Sequence, residues 1–159
     1  MNRRAVAPGL PGWKWRFRRS LAEDVDQMFD VWYASVVATH DFLAKSDLYE
    51  ICVLVRRDYL PNHIFTVAVD GDDRVMGFMG LGSNGDEIDS LFIHPAARGV
   101  GLGRALLAEA AYRSTTLEVE VNAQNVQAVG FYEAMGFHVI ASSPVDDCGR
   151  PYPLLRMRR

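Results

Sequence analysis

Trp15-Arg16-Phe17-Arg18 alternates apolar and basic side chains, the period of a strand with one buried face. Ser20-Leu21-Ala22-Glu23 follows with capping-box spacing, in which the serine hydroxyl accepts from the N3 amide and Glu23 reaches back to the N-cap amide. Leu21, Val25, Met28, Trp32 and Val36 then share one helical stripe, which predicts a core-facing helix to about residue 38. A second helix is predicted from about residue 46 to residue 60, closed before Pro61 because the residue preceding a proline avoids the helical region. Residues 64–69 form a β-branched strand, Asp70-Gly71-Asp72-Asp73 turns it, and residues 75–81 return as its hairpin partner.

Residues 87–93 read as the next strand, stopped by Pro95. The helix that opens at Arg98-Gly99-Val100-Gly101-Leu102-Gly103 carries Leu106, Leu107, Ala110 and Ala111 on its apolar face. Leu117, Val119 and Val121 alternate with Glu118, Glu120 and Asn122 as a further strand. Residues 126–135 are predicted helical, ended by Gly136 at the usual C′ position, and strands at 137–141 and 154–157 follow. The order β-α-α-β-β-β-α-β-α-β-β is a mixed α/β plan with no repeat, low-complexity tract or linker. Residues 15–159 are therefore expected to form one domain, and residues 1–14 a loose extension too broken by Pro and Gly for a signal segment.

Composition narrows the function. The chain has 159 residues and is 49% hydrophobic, enough for one core and incompatible with intrinsic disorder. Lys plus Arg number 17 against 20 Asp plus Glu, a net charge of −3 that gives no reason to expect nucleic-acid binding. No apolar run approaches the ~18 residues of a membrane span, so no membrane association is expected. Cys52 and Cys148 make neither a disulfide framework nor a metal-ligand spacing, which points to a reducing cytoplasmic setting and no metal.

The chemistry concentrates between Glu87 and Gly103. Three glycines alternating with other residues at a strand-to-helix junction let backbone approach a ligand closely, and first-turn amides without intrahelical partners are ready anion donors. A phosphate or pyrophosphate is the natural guest. The spacing of Gly99, Gly101 and Gly103 matches neither GxGxxG nor a P-loop, which counts against both the Rossmann reading, a dinucleotide-binding oxidoreductase, and the P-loop reading.

Arg98-Gly99-Val100-Gly101-Leu102-Gly103, preceded by Leu91-Phe92-Ile93-His94-Pro95, resembles motif A of the GCN5-related N-acetyltransferases (GNAT), written R/Q-x-x-G-x-G/A. Asn122, Asn125, Ala128, Phe131-Tyr132 and Met135-Gly136-Phe137 resemble the second signature of that family. The likeness spans about residues 15–159. It implies an α/β (α+β) GNAT fold: a mixed, mostly antiparallel sheet splayed between its fourth and fifth strands and flanked by about four helices. It also implies acetyl-CoA as cosubstrate and a primary amine as acceptor, with direct attack in a ternary complex and no metal.

Carried over residue by residue, the resemblance gives the amides from Val100 to Arg104, with Arg98, Gly99, Gly101, Leu102 and Gly103, to the pyrophosphate. It gives the backbone of Leu91, Phe92 and Ile93 to the pantetheine arm, paired as an extra strand would be. Asn125 reads as a cofactor contact and equally as a helix cap. Tyr132 is the matching general acid for the departing thiolate. A backbone amide of a bulge near Phe92 or Ile93 is the expected oxyanion donor. For the base, Glu87 matches the glutamate of the histone acetyltransferase branch and Asp89 is the next carboxylate; each also reads as an exposed strand residue, and either acts directly or through water.

The acceptor side is assigned to Thr39-His40-Asp41-Phe42-Leu43 and to the loop holding Asp146 and Asp147. His40 reads as a proton acceptor or as a cap. The paired carboxylates read as a seat for a cationic acceptor or as a tight turn. Thr39-His40-Asp41-Phe42-Leu43, Asp146-Asp147 and Pro151-Tyr152-Pro153-Leu154-Leu155 look like those of a bacterial branch proposed to acetylate protein lysines. A protein or peptide lysine is thus the leading acceptor, with a small amine such as a polyamine, amino acid or aminoglycoside as the alternative. A non-catalytic acyl-CoA sensor is the rival of another class. Homodimers are common for the fold, although no segment marks an interface.

Overall fold

The structure is a computed structural model that describes residues 15–159, so the expected extension over residues 1–14 lies outside the described residues. Seven strands, β1 (Arg16–Arg19), β2 (Thr66–Val69), β3 (Val75–Leu81), β4 (Glu87–Ile93), β5 (Glu118–Asn122), β6 (His138–Ser143) and β7 (Leu154–Arg158), form one sheet in the order β1-β2-β3-β4-β5-β7-β6. Every neighbouring pair is antiparallel except β4 and β5, which are parallel and matched only at Glu87↔Glu118 and Ile88↔Val119. Beyond Ile88 the two strands diverge, and the sheet opens there as the sequence resemblance implies.

Helices α1 (Val25–Thr39) and α2 (Lys45–Leu54) cover one face of the sheet, and α4 (Leu102–Ala111) and α5 (Val126–Ala134) cover the other. Met28, Val31, Trp32 and Val36 of α1 pack on Phe65, Val67, Val69 and Phe78, whereas Leu102, Leu106, Leu107 and Ala110 of α4 pack on Ile88, Val119 and Met157. β2 and β3 are covered on both faces, which is why Val67, Ala68 and Val69 are consecutively apolar rather than alternating. β5 is covered on one face, and there Val119 and Val121 point inward while Glu118 and Glu120 point out. No helix among the described residues is long and apolar enough to cross a membrane.

Two local expectations change. Ser20 does not cap α1: its hydroxyl accepts from the Phe65 amide (2.9 Å), and the buried Asp24 carboxylate instead takes the Leu21 amide (2.7 Å) and a two-pronged bond from Arg18 (2.6 and 2.9 Å). A 3-10 turn, Ala22–Asp24, therefore precedes α1, and Leu21 is left exposed. The second helix does not stop before Pro61. A π-helical segment, Val55–Tyr59, continues α2 into a last turn, α3 (Leu60–Asn62), which contains the proline. Pro61 has no N–H to donate to the turn before it, and the wider π-helical turn lies directly on its N-terminal side.

Candidate active site

The gap between β4 and β5 deepens into a cavity of about 450 Å³ bounded by β4, the start of α4, α5 and the end of α1. Its backbone wall follows from the strand pairing. The His94 amide donates to Met76 on β3 (2.8 Å), and because donors alternate along an antiparallel ladder, the amides of Leu91 and Ile93 face the gap. β5 has moved out of reach there, so this edge is available to an extended ligand.

Gly99 (φ 75°) and Gly101 (φ 84°) hold the loop ahead of α4 in left-handed conformations that L side chains resist. The turn they make aims the helix start into the cavity. Ala105 makes the first intrahelical bond, to the Gly101 carbonyl (3.0 Å), so the amides of Leu102, Gly103 and Arg104 have no partner within the helix. A Cβ on Gly103 would lie 3.2 Å from the Phe131 ring, so glycine lets α5 pack directly on this turn. Arg98 braces the loop from both sides, donating to the Ser35 hydroxyl on α1 (3.2 Å) and to the Gln127 amide oxygen on α5 (3.5 Å). Asn125 both lines the cavity and caps α5, its Oδ1 accepting from the Ala128 amide (3.2 Å). Free amides and the positive helix end at one side, an open strand edge in the middle and apolar walls beyond fit an anionic group on a long, amide-bearing arm.

Tyr132 is buried within α5, with its ring edge-on to Phe131 (5.2 Å) and Phe137 (5.3 Å), and it lines the same cavity. Burial pushes its phenol well above the ordinary tyrosine value, so the hydroxyl keeps its proton. Thr39 and His40, at the C-terminal end of α1, line the cavity from the opposite side. Thr39 Oγ1 donates to the Ser35 carbonyl (2.8 Å) and lies 2.7 Å from His40 Nδ1. Burial holds the His40 imidazole below the ordinary histidine value.

The α2 end of the molecule is built from charge. Arg150 reaches Glu50 (3.0 Å), Asp47 (3.8 Å) and Asp146 (3.8 Å), and the Tyr152 hydroxyl donates to Asp47 while accepting from the Ala44 amide (3.1 Å). Tyr152 in turn stacks obliquely on Phe42 (6.0 Å), and Phe42 on His40 (5.1 Å). The β6–β7 loop is thereby tied to α2 and to the segment that carries His40.

Comparison with known proteins bears on this arrangement. A family model described as an acetyltransferase (GNAT) domain matches residues 47–157. The chain belongs to the GNAT acetyltransferases. It is 46% identical over 140 residues to the peptidyl-lysine N-acetyltransferase YjaB of Salmonella typhimurium, covering 88% of this chain and 94% of that protein. The solution structure of apo-form YjaB from Escherichia coli superposes with a TM-score of 0.85 at 44% identity, covering 91% of this chain and 96% of that one. The PaiA N-acetyltransferase of Thermoplasma acidophilum, solved in complex with coenzyme A, shares the fold at a TM-score of 0.73 and 20% identity, covering 91% and 98%.

Within this acetyltransferase the structure brings Leu91, Phe92, Ile93, Arg98, Gly99, Gly101, Leu102, Gly103, Arg104, Asn125, Tyr132, Thr39 and His40 into one cavity lining. Val100, Phe42, Asp146, Glu87 and Asp89 stand outside it. Val100 is exposed on the loop, and Asp146 Oδ1 caps its own turn by accepting from the Cys148 (2.9 Å) and Arg150 (2.8 Å) amides. Glu87 sits at the paired end of β4, 3.9 Å from Arg156. Asp89 is the extra residue of a bulge, since the β3 register passes from Gly80↔Ser90 to Leu81↔Ile88. The strand irregularity expected near Phe92 and Ile93 lies there instead. Ser90 is buried beside it, its hydroxyl accepting from the Gly80 amide (3.2 Å) and from the hydroxyl of Tyr59 (3.0 Å). Ser35, Gln127, Tyr59 and Ser90 carry no motif. Among the described residues, no group of three or more His, Cys, Asp or Glu is placed to hold a metal ion.

Proposed function

We propose that residues 15–159 transfer an acetyl group from acetyl-CoA to the ε-amine of a lysine in a protein or peptide, in the cytoplasm. The observation that carries this reading is that a proton-bearing phenol, Tyr132, and an imidazole, His40, line the same cavity as the unpartnered amides of motif A. The name and high identity of the Salmonella relative support the lysine acceptor, and the free thiols of Cys52 and Cys148 support a reducing compartment.

Acetyl-CoA, when bound, supplies the acetyl group as an activated thioester. The amides of Leu102, Gly103 and Arg104 and the α4 dipole would hold its phosphates, and the gap-facing backbone of Leu91 and Ile93 would order its arm. An inward-facing β4 amide supports negative charge on the carbonyl oxygen. Tyr132 gives its proton to the departing sulfur, a role suited to a phenol that burial keeps protonated. The charged cluster of Arg150, Asp47 and Glu50, linked to His40 through Tyr152 and Phe42, is the candidate surface for the acceptor. Of the three bases offered by the sequence, Glu87 and Asp89 lie off the cavity lining, whereas His40 lines it.

Isothermal titration with acetyl-CoA, followed by thiol release on a panel of lysine peptides, polyamines and aminoglycosides, tests the reading. Saturable binding with release on lysine peptides is the expected result. Release on polyamines or aminoglycosides alone overturns the lysine acceptor, and binding without release on any amine supports a sensor instead.

A further inference from the structure

We propose that His40 is the general base of the transfer, set by Thr39 in the tautomer that leaves Nε2 free to take the amine proton. The proposal rests on reading the cavity as the acetyl-transfer site.

The tautomer follows from counting protons. The Thr39 hydroxyl carries one, and the Ser35 carbonyl, 2.8 Å away, can only accept it. With that proton spent, Thr39 Oγ1 can only accept from its second neighbour, His40 Nδ1 at 2.7 Å. Nδ1 therefore bears the hydrogen. A neutral imidazole has a single N–H, so Nε2 presents a bare lone pair. When Nε2 is protonated the Nδ1–H bond to Thr39 persists, and the ring turns over its proton without losing its anchor.

The surroundings suit the task. His40 is the C-cap of α1, its amide donating to the Val36 carbonyl (2.7 Å) and its carbonyl accepting from Leu43 (3.1 Å), so the backbone is held on both sides. The negative end of the α1 dipole stabilises an imidazolium as it forms. Phe42 packs on the ring, and burial keeps the imidazole neutral near pH 7. The titratable and charged groups around it are Asp41 on its own segment, Arg98 and Arg104 of the loop and α4, Tyr132 of α5, and the Tyr152–Asp47–Arg150 set behind Phe42.

The step balances as follows. A neutral amine attacks the acetyl carbon, the new N–C bond forms and the C–S bond breaks. His40 Nε2 takes the proton shed by nitrogen, and Tyr132 gives one to sulfur. The imidazolium then releases its proton to water, and the phenolate recovers one from water.

Two-bond 1H–15N correlation spectra of protein labelled at histidine nitrogens, without acceptor, read the tautomer directly, with His40→Gln used to assign the signal. The expected result is protonated Nδ1 and bare Nε2 in the wild type, moving toward the Nε2–H form in Thr39→Val and returning in Thr39→Ser. His40→Gln is expected to lower kcat about a hundredfold with acetyl-CoA affinity and Tm retained. It should also remove the additional fall of kcat/KM that in the wild type sets in below the ordinary histidine value of about 6.5, leaving only the fall that protonation of the substrate amine imposes. An Nε2–H tautomer in the wild type, or a kcat for His40→Gln within about twofold of wild type, overturns the proposal. If the wild type acetylates a polyamine and no lysine peptide, the variants are compared on that amine: the lysine reading then fails while the base stands or falls on its own. If acetyl-CoA binds and no amine is turned over, the transfer reading fails and the general base fails with it.

Discussion

The cavity between β4 and α5 and the charged cluster at the α2 end are built from different materials. The cavity wall at motif A is backbone: two left-handed glycines, three amides without a helical partner and the open edge of β4, with Arg98 used as a brace. The α2 cluster is side chain: Arg150, Asp47, Glu50, Asp146 and Tyr152 hold one another across α2 and the β6–β7 loop. A backbone site tolerates change in most side chains but not in glycine, which fits the proposed binding of one constant ligand. A side-chain network is retuned by single substitutions, which fits a proposed role in choosing the acceptor. His40 stands where the two meet, linked through Thr39 and Ser35 toward Arg98 and through Phe42 toward Tyr152.

The contrast breaks most visibly at the chemistry both sides share. Tyr132→Phe removes the proton donor and nothing else, so kcat should fall by about a hundredfold or more while acetyl-CoA affinity measured by calorimetry stays within about twofold. An unchanged kcat would mean that water protonates the sulfur. Next comes the backbone side. Gly101→Val places a branched side chain at φ 84°, a strain of about 1–2 kcal/mol before the amides are displaced, and should weaken acetyl-CoA by about tenfold or more without altering the acceptor KM.

Arg150→Ala reverses that signature. Three carboxylates lose their common partner and the loop its tie to α2, so the acceptor KM should rise about tenfold with acetyl-CoA affinity unchanged; equal effects on both ligands would abolish the division. The smallest effect belongs to Tyr59→Phe, which deletes one hydrogen bond to Ser90 at the β4 bulge. A loss of about 1 kcal/mol, or about 3 °C in Tm by calorimetry, is expected, with a modest fall in kcat at constant acetyl-CoA affinity.

Local periodicity carried much of the fold. Val75–Leu81 and Glu87–Ile93 are strands with the bounds their apolar pattern predicts, and α1 ends within a residue of its predicted end. The glycine spacing marked the phosphate-ready turn because positive φ and free first-turn amides are properties of a few consecutive residues. Asp24 escaped notice for the opposite reason. A carboxylate is worth burying at that turn because Arg18, on another element, arrives there, and Ser20 is diverted to Phe65, which lies 45 residues away. The run through Pro61 was hidden too, since a π-helical turn has no composition of its own.

From residue types at short spacing one can read alternation, helical stripes, caps and a phosphate-ready turn, all contacts between near neighbours. Folding alone placed β7 between β5 and β6, set the bulge at Asp89 rather than near Phe92, and joined Arg150 to Glu50 across 100 residues. Those choices are made by which surfaces meet when the sheet assembles. Their energies belong to pairs of distant groups, and no local pattern encodes them.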